Sequence, residues 1–162
     1  MTLTFTAEEI LDIAERMERN GAAFYRAAAD LVDDPALRLK LNELAGMEDA
    51  HERAFAAIRG ALPPSDNDPA AKGGEDVGPY LRAMADASSF DRSMDPMDLA
   101  QSNASLEALL KVAIELEKES ILFYLGLREL VADAATRERL DEILREEREH
   151  VAILAAMLRS VA

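Results

Sequence analysis

The 162-residue chain has no cysteine and no tryptophan. Without thiols it has no disulfide framework, thiolate zinc site, iron–sulfur cluster or thiol nucleophile. Basic residues are in deficit, 18 against 32 acidic ones, and the formal charge is −14. That balance argues against nucleic acid and anionic membrane surfaces, which need a basic face, and favours cations. Long apolar runs are also missing: none approaches the roughly 20 residues of a membrane span. The start, Met1-Thr2-Leu3-Thr4-Phe5-Thr6, has neither the basic nor the apolar region of a signal peptide. A cytoplasmic location is the expectation. The length suits one domain that buries its own core.

Glycine and proline are scarce too, and most of them fall between Gly60 and Pro96. The flanking stretches are rich in Ala, Leu, Glu and Arg, which lose little side-chain freedom in a helix. Thr6 with Glu9 three residues on forms a capping box. Asp34-Pro35 is an N-cap followed by proline at the first helical position. Gly60 and Pro63-Pro64 end that second helix. Ser105 and Asp133 can cap a third and a fourth.

Apolar residues recur every seven positions in paired rows. One row per helix is Ile10, Met17, Phe24, Leu31; Leu37, Leu44, His51, Ile58; Leu109, Leu116, Phe123, Leu130; and Thr136, Ile143, His150, Met157. The companion rows include Glu18, Glu48, Glu117 and Glu147 among Leu, Tyr, Phe and Val. Each helix has one buried stripe, so an all-α four-helix bundle is the expected fold.

The two halves of the chain are related at a constant offset of 99. Thr6 maps to Ser105, Glu18 to Glu117, Phe24-Tyr25 to Phe123-Tyr124, Asp34 to Asp133, Glu48 to Glu147 and His51 to His150. Matched caps and polar residues over about 50 positions mark a duplicated hairpin, since two unrelated amphipathic helices share only apolar spacing. Hairpin one is expected over 6–60, hairpin two over 106–160, and a long crossover over 61–105. Within the crossover, Pro63 to Gly74 reads as a polar loop, Pro79 to Phe90 as a short helix, and Asp95-Pro96 as another helix start. Tyr80, Leu81, Met84 and Phe90 are available to pack on the bundle.

The chain's only two histidines each follow a glutamate by three positions, in Glu48-Asp49-Ala50-His51 and Glu147-Arg148-Glu149-His150. On a helix, i and i+3 share a face, so each pair offers a carboxylate and an imidazole to one point. Glu18 and Glu117 occupy apolar rows on the other two helices. Two Glu-x-x-His pairs and two further Glu form the donor set of a dinuclear carboxylate centre in a bundle. Buried unpaired carboxylates cost several kcal/mol each, and two divalent cations remove that cost. One imidazole per metal among oxygen donors suits iron or manganese, with zinc left open by ligand type. By composition alone, both histidines would carry such a glutamate with odds of about 1 in 80. The bland alternative is a pair of core histidines, each satisfied by a neighbouring glutamate, and it leaves the matched offset unexplained.

Tyr25 and Tyr124 lie seven residues after Glu18 and Glu117. Two readings stand: phenols hydrogen-bonded to metal-bound carboxylates, or core aromatics with the hydroxyl at the bundle edge. Glu15, Glu52, Glu119, Glu146 and Glu149 read as solvated helix faces. Met17, Met47 and Met157 read as packing.

Glu18 with Tyr25, Glu48-x-x-His51, Glu117 with Tyr124 and Glu147-x-x-His150 resemble the ferritin-like superfamily, and within it the rubrerythrin family. Ala113 to Tyr124 is similar to the third helix of the members that stand alone. The resemblance covers both hairpins. It implies a ferritin-like four-helix bundle with a di-iron centre at Glu18, Glu48, His51, Glu117, Glu147 and His150. It also implies reaction with hydrogen peroxide or dioxygen, and Glu48 with Glu117 or Glu147 as bridging ligands. Full rubrerythrins append a four-cysteine rubredoxin domain that delivers electrons. This chain has no cysteine, so the resemblance implies an external electron donor. The family's additional glutamate, one turn after the third-helix ligand, is here Ser120, which leaves a six-ligand set. A homodimer is a further expectation from the family. The rival expectations are an iron-binding or storage ferroxidase and a structural helical module with a vestigial or fixed metal site.

Overall fold

A computed structural model of the chain describes residues 6–62, 77–87, 98 and 102–162. Five helices are seen among them: α1 (Ala7–Asp30), α2 (Pro35–Gly60), α3 (Val77–Ala87), α4 (Leu106–Leu130) and α5 (Ala134–Val161). Each long helix begins where its cap is read in the sequence. Thr6 and Glu9 form the reciprocal capping box of α1. The side chains of Asp34, Ser105 and Asp133 accept from backbone N–H groups in the first turns of α2, α4 and α5. These bonds satisfy donors that have no partner within the helix, and so fix where it starts.

α1 and α2 form one antiparallel hairpin, and α4 and α5 the other. Their mutual direction follows from contacts across the bundle. Tyr25 reaches Glu117 while Tyr124 reaches Glu18, so α1 and α4 run antiparallel. His51 lies beside Glu147 and Glu48 beside His150, so α2 and α5 do as well. α2 and α4 are therefore parallel, and the connection between them must travel the length of the bundle. At 1.5 Å per residue, the 26 residues of α2 span about 39 Å.

Part of that connection is α3. It starts two residues before the expected Pro79, because a proline in the first turn sacrifices only an N–H that is unbonded anyway. Leu81 is fully buried, and the Tyr80 hydroxyl donates to the Leu122 carbonyl at 3.1 Å. The close approach of α3 to α4 depends on Gly126, where a Cβ would lie 2.8 Å from Tyr80 Cε1. The polar loop over 63–74, Phe90 and the helix start at Asp95-Pro96 lie outside the described residues. Among the described residues, no helix is long and apolar enough to cross a membrane.

Two apolar clusters fill the bundle, one towards each end. One gathers Phe24, Ala28, Leu41, Leu44 and Ala45 with Leu109, Leu110, Ala113 and Leu154. The other gathers Ile10, Leu11, Ala14 and Phe55 with Phe123, Leu127, Leu140, Ile143 and Leu144. Shifting either set by 99 turns it into the other, so the duplication extends to the packing. Two expectations fail at the level of burial. Leu31 is 44% exposed because α1 stops at Asp30 and the apolar row outruns the helix. Glu15, expected on a solvated face, is only 4% exposed. Its carboxylate accepts from Arg59 Nε at 2.6 Å and Nη2 at 2.9 Å, which offsets the loss of water.

Candidate metal centre

Between the two apolar clusters lies a polar layer. Glu18 on α1, Glu48 and His51 on α2, Glu117 on α4, and Glu147 and His150 on α5 are each at most 4% exposed. All six expected donors therefore meet at one place. They divide into two overlapping groups, Glu18–Glu48–His51–Glu147 and Glu48–Glu117–Glu147–His150. Within each group, one ligand atom per residue lies within 4.8 Å of the others. Glu48 and Glu147 belong to both groups and Glu117 to one. Of the bridging candidates, Glu48 and Glu147 hold the shared positions.

The imidazoles face inward through Nδ1. His51 Nδ1 is 3.0 Å from Glu147 Oε1 and 3.5 Å from Glu18 Oε2. His150 Nδ1 is 3.0 Å from Glu48 Oε1, 3.3 Å from Glu147 Oε2 and 3.5 Å from Glu117 Oε1. The two rings stack with centroids 5.6 Å apart. Short as these separations are, both Nδ1 atoms, Glu48 Oε1 and both Glu147 oxygens are buried without a properly directed hydrogen bond. The donor atoms point at common positions in space and not at one another. A buried polar atom without a partner costs about 1–3 kcal/mol, so this cluster fits a pair of cations bound at those positions.

Proton affinities follow the same twofold pattern. Burial, then the charges of Glu147 and Glu48, push Glu18 well above the ordinary carboxylate range. Burial and the charge of Glu147 do the same to Glu117. For Glu48, burial and the Glu147 charge act upward, but the close approach of Glu18, His150 and His51 holds it below the ordinary value. Glu147 is also lowered: burial acts upward, and the close approach of His150, His51 and Glu117 outweighs it. Burial disfavours both imidazolium ions, yet the surrounding carboxylates raise His51 and push His150 up to about 12. Without metal, protonation is thus favoured at Glu18, Glu117, His51 and His150 and disfavoured at Glu48 and Glu147. With those four groups protonated, two imidazolium charges against two carboxylate charges make the buried layer neutral.

Of the two readings of the tyrosines, the structure takes the first in its geometric part. Each phenol crosses to the opposite hairpin: Tyr25 Oη donates to Glu117 and Tyr124 Oη to Glu18. Both hydroxyls are buried, and burial together with the facing glutamate holds them well above the ordinary phenol value, so they stay donors. Ser120 turns its hydroxyl back to the Leu116 carbonyl. Beside it, a cavity of about 10 Å³ opens onto Glu48, Glu117, Tyr25 and Gly21. That is room for about one water-sized molecule.

A model of the rubrerythrin family matches residues 9–158. The chain belongs to the rubrerythrin family. Its fold is also that of a solved structure described as a ferritin-like diiron-carboxylate protein from Thermotoga maritima. The two share 20% sequence identity with a TM-score of 0.77 over 100% of both chains. No curated protein matches the chain.

One contact of this rubrerythrin-family site runs against the sequence reading. Glu146, expected on a solvated face, places Oε2 2.7 Å from His51 Nε2 while its side chain remains 40% exposed. Position 146 is one residue before Glu147, a quarter-turn off the buried stripe. The repeat gives no hint of it, because the equivalent residue is Met47. Only the lateral approach of α5 to α2 shows the pairing.

Proposed function

We propose that this chain is a rubrerythrin-like di-iron oxidoreductase that reacts with hydrogen peroxide or dioxygen and is re-reduced by an external electron donor. Glu18, Glu48, His51 and Glu147 would hold one iron, and Glu48, Glu117, Glu147 and His150 the other. Bound there, a pair of ferrous ions supplies two electrons to a small oxidant. The observation that carries the reading is the convergence of six buried side chains on two positions that share Glu48 and Glu147, with both Nδ1 atoms, Glu48 Oε1 and both Glu147 oxygens left without a hydrogen bond.

The chain's own residues supply the rest. Four carboxylates balance the charge of two divalent ions, so the buried layer is neutral with metal as it is with protons. Tyr25 and Tyr124 fix the rotamers of Glu117 and Glu18 by hydrogen bonding. The apolar clusters above and below exclude bulk water. The small cavity beside Ser120, lined by Glu48 and Glu117, has room for about one water-sized molecule, which suits a reactant of a few atoms. No thiol is available to relay electrons.

The test is the metal content of protein loaded with Fe(II) under anaerobic conditions, followed by absorbance on adding peroxide or air. Two irons per chain and a new near-ultraviolet band are expected. Replacing Glu48 and Glu147 together with Gln is expected to abolish binding of both ions. Full stoichiometry in that variant would show that the ligands are misassigned. A large hollow assembly in a size measurement would replace this reading with iron storage.

A further inference from the structure

We propose that the two metal positions are unequal, and that Glu146 makes the one served by His51 the tighter. This rests on the dinuclear reading above, and concerns a feature that the duplication does not share. Six donors and two tyrosines are matched in pairs across the offset of 99, but the outer edges of the two imidazoles are not. His51 Nε2 has the Glu146 carboxylate at 2.7 Å. His150 Nε2 is completely buried and has no hydrogen-bond partner among the described residues. At the place where the repeat would put a second Glu146 stands Met47, a thioether that is at best a weak acceptor.

The consequence is physical. A carboxylate on Nε2–H keeps the proton on that nitrogen, so Nδ1 presents its lone pair to the cation. It also fixes the ring plane and makes the ligand a better electron donor. Loss of such a partner lowers metal affinity by about 10–100-fold. The His150 ring is oriented by packing alone, and binding a cation there leaves a buried N–H without an acceptor. The halves also differ beside the donors at Gly21 and Ser120, which line the small cavity, but the Ser120 hydroxyl bonds the Leu116 carbonyl and neither imidazole. Others lie farther out. Arg59–Glu15, for example, corresponds to the apolar pair Leu158–Ile114 on the bundle flank. Glu146 is thus a positioning residue that splits one duplicated site into a strong and a weak half.

The probe is zinc(II), which is diamagnetic. Chelator competition on the intact metal-free protein is expected to give two binding constants about 10–100-fold apart. At one equivalent, the nitrogen-15 spectrum is expected to show His51 Nδ1 at its metal-bound shift and His150 still largely free. Glu146→Ala, with an unchanged helical circular dichroism spectrum, is expected to lower the tighter constant at least tenfold and leave the weaker one in place. Two equal constants in the parent, His150 filling first, or no change in the tighter constant of the variant would each overturn the proposal. So would an equal loss at both positions, the sign of general structural damage. Failure of the dinuclear reading looks different: fewer than two zinc ions would bind at saturation.

Discussion

At the scale of the residue, burial forces a choice between protons and metal. Burial and the neighbouring charges favour protonation of Glu18, Glu117, His51 and His150, and two divalent ions in place of four protons would leave the net charge of the layer unchanged. Metal uptake at neutral pH is therefore expected to release about four protons per chain. Calorimetric titration in buffers of different ionisation enthalpy measures that number. Because each bound ion displaces protons, apparent affinity rises with pH throughout the range in which the four groups stay protonated. Release of one proton or none would show that the metal-free carboxylates are already ionised and separated by water.

The element scale is where helices either tolerate or forbid an added methyl group. Gly46, in the middle of α2, has nothing within 4 Å of a built Cβ, whereas at Gly126 in α4 that atom meets Tyr80 at 2.8 Å and Leu81 at 2.9 Å. Gly46→Ala is expected to stabilise by about 1 kcal/mol, the helix-propensity difference. Gly126→Ala is expected to destabilise by about 1–3 kcal/mol, since α3 must shift away from α4. Urea denaturation of the two variants gives the comparison, and the same sign in both would contradict the packing of α3. The capped ends, the hairpin partners and the apolar rows are all legible in the sequence, because they depend on short-range periodicity and local hydrogen bonds. Glu15 is a case where periodicity misleads. Its position marks a surface residue, and only Arg59 from the neighbouring helix makes its burial tolerable.

The whole molecule inherits a conflict between its polar layer and its two apolar clusters. In the metal-free fold, His51 and His150 have raised proton affinities, so their stabilising contribution is complete below the unfolded value of about 6.5 and is lost as pH rises towards their folded values. Glu18 and Glu117 are raised as well and act in the same direction. Glu48 and Glu147 are lowered; their contribution is lost only on acidification below about 4.5, outside this window. Between pH 6.5 and 9, metal-free protein is thus expected to lose stability with rising pH, by up to about 1.4 kcal/mol per pH unit for each imidazole. The metal-loaded protein should not follow, so the gap in melting temperature widens. Thermal melts with and without chelator across that range measure it, and parallel curves would rule out the proton inventory.

By itself the sequence determined the duplicated hairpin, the starts of the four long helices and the six side chains that meet in the polar layer. Each of these is carried by spacing along one helix or by repetition along the chain, and both survive without knowledge of how helices meet. Tertiary structure alone decided which glutamates are shared, since that depends on the depth at which four helices cross. It alone turned each tyrosine towards the opposite hairpin, because the antiparallel alignment of α1 and α4 brings residue 25 level with 117. It also placed Glu146 against His51 and gave His150 no counterpart. That contact lies between helices, where neither periodicity nor the repeat has any reach.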